Sequence, residues 1–252
     1  MKFFNEQIRQ EPTKASAWRC RGSVLVAEGE HKNAIKDFTE AIKDLTEAIR
    51  LDPQYAPAYC NRGLALMWKG EYDNAIDDCT NSIRLDPKYV LAYEVRGVVW
   101  TFKGELDNAI KDFTEANKVD PKYINAFRQR AVAWQRKGDF DKAIEDYGEA
   151  IKLDPKDFHS YHDIAWIRAT SADERYRDGK QAVEYATKAC QLTGWKMPKY
   201  LDTLAVAYAE AGDFTNAIKW EDKSLELSPT NEKKGRLELF WSNKPYRMTP
   251  KK

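Results

Sequence analysis

With 252 residues, 41 basic and 40 acidic side chains and a net charge of +1, the chain carries no bulk field that would draw it to nucleic acid or to a membrane surface. It has no run of about 18 apolar residues to span a membrane, and its first residues lack the apolar core of a secretory leader. The four cysteines (Cys20, Cys60, Cys79, Cys190) show no CxxC pairing; Cys79 and Cys190 fall at buried-type positions and read as small core residues in a reducing, cytoplasmic compartment.

The predicted elements begin with a helix over residues 1–12, in which Phe4, Ile8 and Pro12 fall where Cys79, Ile83 and Pro87 fall later. It reads as the second helix of a pair that lacks its first, serving as an N-terminal cover or left from a longer array. From Ala15 a phrase of Trp18, Gly22, Leu25, Gly29 and Ala34 opens, and its closing proline, Pro53, comes 41 residues after Pro12. The excess over the later spacing is a duplicated heptad, Asp37–Lys43 followed by Asp44–Arg50. Seven residues are almost two turns, so the apolar stripe of Ala41, Ile42, Leu45, Ala48 and Ile49 keeps its direction within about 20°. One unbroken helix from about His31 to Leu51 follows. Its extra turns are expected to project near Arg50–Pro53, with residues 52–57 running back along the overshoot and Pro57 marking where that return stops.

Beyond it the spacing is regular. Pro87, Pro121 and Pro155 recur every 34 residues, together with Gly70, Gly104 and Gly138 and with Ala75, Ala109 and Ala143. Within one phrase Tyr59, Gly63 and Leu66, then Tyr72, Ala75, Ile76, Cys79 and Ile83, recur three and four apart, which is helical. Glycine breaks each phrase into two helices, and Asp-Pro ends the second, because proline has no N–H to continue the ladder. A fixed period of this length means stacked units that each pack on their neighbours. The fifth phrase departs, with five extra residues within 170–179 and Thr193–Pro198 in place of Asp-Pro; the sixth carries Leu201, Ala205, Tyr208, Gly212, Ala217, Ser224 and Pro229. A last helix, about Thr230–Ser242, is expected to seal the end with Leu237, Phe240 and Trp241 while Lys233, Lys234, Arg236 and Glu238 face water.

The copy at 90–123 supplies Tyr93, Gly97, Trp100, Ala109, Phe113, Ala116 and Pro121; the copy at 124–157 supplies Phe127, Ala131, Trp134, Ala143, Tyr147, Ala150 and Pro155. This pattern resembles the tetratricopeptide repeat (TPR), with Arg62, Arg96 and Arg130 at a position that usually holds a medium apolar residue. The stretch from Arg177 to Gly212 looks like the end of many bacterial TPR proteins. The resemblance implies an all-α fold, a right-handed α-solenoid of helix-turn-helix units with a C-terminal capping helix. Residues 1–14 would be the N-terminal cover; six repeats would occupy 15–55, 56–89, 90–123, 124–157, 158–197 and 198–231; and 232–252 would form the capping helix and tail.

In this family the first helix of each pair lines a concave groove. The resemblance therefore assigns Cys60, Asn61, Leu64, Met67 and Trp68, then Glu94, Val95, Val98 and Phe102, then Arg128, Gln129, Val132 and Arg136, then His159, His162, Asp163 and Trp166 to that groove. The partner-binding set drawn from them is Asn61, Leu64, Trp68, Glu94, Val98, Phe102, Arg128, Gln129, Arg136, His162 and Trp166, since exposed aromatics beside arginine are what binding hot spots are made of. His159 and His162 have a spacing that can hold a metal, but no further ligand accompanies them, and they read as polar groove lining. The two-lysine, two-asparagine and arginine clamp by which some TPR domains hold a carboxylate terminus is not matched: of Arg19, Ser23, Asn61, Leu91 and Val95, only Asn61 is identical. No phosphate loop, nucleophile elbow or isolated acid pair appears, so neither catalysis nor a cofactor is expected. The expected function is a scaffold that binds a protein or peptide partner in the groove, with no nucleic acid and no membrane, as a monomer or a weak homo-oligomer through its N-terminal end. The alternative is the regulatory or adaptor region of a larger multidomain protein.

Overall fold

The computed structural model describes residues 31–248. Among the described residues are twelve α-helices, one 3₁₀ turn and no strand: α1 (His31–Leu51), α2 (Ala56–Trp68), α3 (Tyr72–Leu85), α4 (Val90–Lys103), α5 (Leu106–Val119), α6 (Ile124–Lys137), α7 (Phe140–Leu153), α8 (Phe158–Thr170), the 3₁₀ turn (Glu174–Tyr176), α9 (Gly179–Leu192), α10 (Pro198–Glu210), α11 (Phe214–Leu227) and α12 (Asn231–Trp241). The helix expected over 1–12 and the opening helix from Ala15 lie outside the described residues. The chain divides into two compact units, residues 1–137 and 138–252.

In the first unit each helix packs on its neighbour in sequence, and the opening helices of successive pairs also meet, α2 on α4 and α4 on α6. The punctuation read from the sequence acts as physical chemistry requires. Gly104 ends α4 in the left-handed region at φ 82°, where a side chain would be strained. At the other stop, Asp86 Oδ1 accepts the N–H of Lys88 at 3.0 Å, and the same turn recurs at Asp120 and Asp154. Small residues allow the close approaches. A Cβ on Gly97 would lie 2.6 Å from the Phe113 ring, and Ser82 Oγ donates to Ala56 O at 2.8 Å.

The arginines at the medium-apolar position have a defined job. Arg62 donates twice to Asp78, at 2.7 Å each, and once to Thr46 of the preceding helix at 3.1 Å. Arg96 repeats this with Asp112 at 2.8 and 2.7 Å and Thr80 at 2.9 Å. Each guanidinium thus ties its own pair to the one before, and it satisfies an aspartate buried in the second helix.

The duplicated heptad is one unbroken helix, as expected: α1 runs 21 residues from His31 to Leu51. The expected overshoot near Arg50–Pro53 is not found. The link Asp52–Tyr55 is the same turn as Asp86–Tyr89, with Tyr55 N–H to Asp52 O at 3.2 Å and Tyr89 N–H to Asp86 O at 3.1 Å. Residues 52–57 do not run back, and Pro57 simply sits in the first turn of α2. The register against α2 comes from the end of α1: Thr46 meets Arg62 as Thr80 meets Arg96, and Phe38 stacks on Trp68 (6.2 Å, 6°) as Tyr72 stacks on Phe102 (6.1 Å, 9°). In that register the additional turns are residues 31–37, at the start of α1. Two near-identical heptads can each supply the apolar contacts, so the sequence leaves open which of them meets α2.

In the second unit α8 pairs with α9 and α10 with α11, α8 also packs on α10, and α12 closes on α11. The five extra residues lie between α8 and α9 as a packed turn. Tyr176 sits edge-on to Phe140 at 5.2 Å and donates to Asp141 at 2.9 Å, and Arg177 donates to Ser171 O and Ala172 O at 3.2 and 3.1 Å. The irregular stop after α9 uses positive φ at Gly194 and Trp195 (63° and 62°), which lays the Trp195 ring on Trp220 at 5.0 Å.

The capping helix differs from expectation in its charges. Leu237 and Phe240 are buried and Lys234 and Glu238 face water, but Lys233 and Arg236 are only 5% and 4% exposed and Trp241 is 63% exposed. The reason lies on the helices beneath. Arg236 meets the fully buried Glu221 of α11 at 2.7 Å and Asp202 of α10 at 3.3 Å; Lys233 Nζ donates to Ser224 O, Ser224 Oγ and Ser228 O at 3.2, 2.9 and 2.9 Å. α12 is docked through cations that answer the buried Glu221, the half-buried Asp202 and carbonyls at the end of α11.

Candidate partner-binding face

On the first unit, the face formed by α2, α4 and α6 sorts the sequence-assigned residues into three kinds. Cys60, Met67 and Val95 do not line a groove: they are buried with Leu66, Cys79 and Val99 in the core. Leu64 and Val98 are half-buried and pack against that core, because they lie at the edge of the apolar stripe that each helix turns inward. The open positions are Trp68, 39% exposed, Phe102, 53% exposed, and Arg136, which is exposed and donates to Thr101 O at 3.1 Å. These three are spaced by 34 residues and hold one place in successive pairs. Each ring is held open to solvent by a stacked neighbour, Phe38 or Tyr72.

Asn61, Arg128 and Gln129 are half-buried on the same helices. Glu94 is half-buried and accepts the hydroxyl of Tyr123. Burial pushes the Glu94 carboxyl above its ordinary range, opposed by the Tyr123 hydrogen bond and the charge of Arg128. Burial and the Glu94 carboxylate in turn raise the Tyr123 phenol. The face therefore combines two open rings with an acid and arginines.

On the second unit, His162 is buried, and its Nδ1 lies 2.8 Å from Thr203 Oγ1 on α10. Burial pushes its imidazole down to about 3, aided by the charges of Lys199 and His159. It packs on α10 and also lines the cleft beside Trp166. His159 Nδ1 lies 3.3 Å from the Tyr200 hydroxyl, so the two histidines reach α10 rather than a shared ligand. Trp166 is half-buried against Tyr246 at 6.0 Å. Beside it, a cleft of about 520 Å³ is walled by α8, α10 and the start of α12, with Asp163, Lys199, Asp202 and Glu232 among its lining. Local periodicity could not have revealed this cleft, since α12 belongs to no repeat. Among the described residues, no group of three His, Cys, Asp or Glu side chains converges as a metal site would require.

Sequence models of the tetratricopeptide repeat match residues 56–89 and 124–157, a TPR repeat model matches 22–68, and a further tetratricopeptide repeat model matches 198–231. Together they span more than half of the chain. The chain belongs to the tetratricopeptide repeat family. No curated protein matches this TPR chain in sequence. Among solved structures it is similar to the APC/C hetero-tetramer Cut9–Hcn1, at 19% identity and TM-score 0.67 over 94% of this chain and 45% of that one. The TPR chain thus spans less than half the length of that match. It is also similar to YrrB, a TPR protein with an unusual peptide-binding site (17%, TM-score 0.59, 75% and 94% of the two chains). MamA from Desulfovibrio magneticus RS-1, in a form comprising residue 41 to the end, matches at 21% and TM-score 0.55 over 73% and 97%. At these identities the likeness is one of fold.

Proposed function

We propose that this TPR chain is a protein-interaction scaffold, without catalytic chemistry of its own, that holds a partner peptide or helix on the α2–α4–α6 face of its first unit. The observation that carries the reading is the pair of open rings, Trp68 and Phe102, one repeat apart and each backed by a stacked aromatic. Ordinary exposed side chains lose rotamer freedom when a partner docks; rings already held by stacking lose less, so they favour binding. Arg136 continues the row with a cation, and Glu94 and Arg128 flank it with hydrogen-bonding capacity. The peptide-binding site named for YrrB agrees with such a use of this fold. Among the described residues no helix is long and apolar enough to cross a membrane.

The test places a photo-crosslinking residue at Phe102 and identifies captured peptides by mass spectrometry. Binding of the captured partner is then measured against Trp68→Ala, Phe102→Ala and Arg128→Ala. Each should weaken binding by about 1 kcal/mol or more while leaving the helical content intact. A partner that binds the triple variant unchanged uses another surface.

A further inference from the structure

After α12 the chain does not leave the second unit. Lys244 N–H closes the helix on Leu239 O at 2.9 Å, and residues 245–248 then run without helix or strand back to α8. Three anchors hold them there. The Tyr246 ring contacts both the Trp166 ring, at 6.0 Å, and the Arg236 guanidinium, at 5.9 Å. Arg247 pairs with Glu210 of α10, a carboxylate that also faces Arg177 at 3.2 Å. The N–H of Met248 donates at 2.9 Å to Thr170 O, a carbonyl that the end of α8 leaves without a helical partner. An aromatic anchor, a charge-paired arginine and one main-chain hydrogen bond on an irregular segment are the means by which a folded surface holds an extended peptide.

Trp166 and Arg236 also line the cleft between α8, α10 and α12. The tail therefore adjoins the cleft at these two side chains and leaves the cleft itself open. We propose that residues 245–248 are a ligand held in cis, and that the α8–α10 face they cover is a binding site for an extended peptide in which an aromatic residue is followed by arginine. A partner carrying that pair displaces the tail and reaches further into the cleft than the tail does. Because the tail is tethered a few residues from its site, it competes at an effective concentration in the millimolar range. The site thus favours partners that add contacts in the cleft. It rests on the chain being a binding module, but the probe below comes from this chain, so a negative result leaves partner binding at the first unit standing.

The experiment uses a labelled peptide of residues 243–248 and a chain lacking 243–252, with fluorescence anisotropy as readout and circular dichroism as the check of fold. The shortened chain should bind the peptide, and the full chain should bind it at least about tenfold more weakly. Peptides with Tyr246→Ala or Arg247→Ala should lose binding to the shortened chain. A shortened chain that keeps its helicity and leaves the peptide unbound at 1 mM, a concentration of about the effective value above, overturns the proposal; so does equal binding to both chains. Should shortening unfold the protein, the full-length variant Tyr246→Ala/Arg247→Glu decides, since it frees the site by repelling Glu210 while keeping the chain length. Binding of the wild-type peptide to that variant supports the cis ligand. Its absence, or unfolding of both proteins, shows that the tail is a structural part of the unit and overturns the idea.

Discussion

A guanidinium at a position usually given to a medium apolar side chain looks costly until its neighbours are named. Asp78 and Asp112 are buried on the second helix of their pairs, and Arg62 and Arg96 answer them with two short hydrogen bonds each. Removing one partner would strand a buried charge, whereas replacing both by apolar residues could be nearly neutral. Glycines show the same dependence on contact. A methyl at Gly97 meets the fully buried Phe113 ring at 2.6 Å, while one at Gly148, within α7, meets nothing within 4 Å. Gly97→Ala should therefore destabilise the chain by about 1–3 kcal/mol. Gly148→Ala should stabilise it by about 0.5–1 kcal/mol, through helix propensity alone. Urea titrations of the two variants measure both signs. Gly97 and its successor Ala131 were legible as small-residue positions from period alone, but the arginine–aspartate pairs were not, because they join residues 16 apart across two helices.

At the scale of elements, α1 shows what period can and cannot reveal. Its continuity followed from an apolar stripe with no Gly or Pro at the junction, but its register against α2 depended on a choice between equivalent heptads. α12 failed differently: Lys233 and Arg236 sit in a polar helix and read as solvated, and what draws them inward lies elsewhere in the chain, Asp202 and Glu221 on other helices and the Ser224 and Ser228 oxygens at the end of α11. Removing Asp44–Arg50 leaves a helix of the length of α3 and brings His31 to the place where Phe38 meets Trp68. The shortened protein should stay folded and lose the aromatic stack, about 0.5–1.5 kcal/mol. That loss corresponds to a few degrees in Tm, at about 2–4 °C per kcal/mol for a chain of this size. Adding His31→Phe to the deletion should recover most of it. Differential scanning calorimetry of the three proteins checks this; unfolding of the deletion variant would contradict the register.

At the scale of the whole molecule, stability against pH has two opposed contributions from the second unit. His162 is held neutral with a folded-state value of about 3 against an ordinary 6.5, so between those values the unfolded chain binds the extra proton and acid destabilises the fold. The slope reaches about 1.4 kcal/mol per pH unit. Glu221 is pushed by burial up to about 7 against the pull of Arg236, so its contribution is present below the ordinary 4.5 and is lost as pH rises toward 7. His162→Gln should remove the first and keep the second: its thermal stability should fall less than that of the wild type between pH 6.5 and 4.5, and an identical fall in both would place the acid sensitivity elsewhere. The family was legible in the sequence because a 34-residue period survives any choice of surface residues; the cleft beside α12 was not, because one of its walls is a helix outside the period. Two of the chain's irregularities also set rules for lengthening such an array. Seven residues entered a helix, since a heptad brings the buried stripe back to within about 20° of where it began. Five would rotate it by about 140° past a full turn at 100° per residue, and the five extra residues are in the turn between α8 and α9. For anyone grafting an epitope or a reporter into this protein, helices are open to inserts in steps of seven, and other lengths belong at the turns between helices.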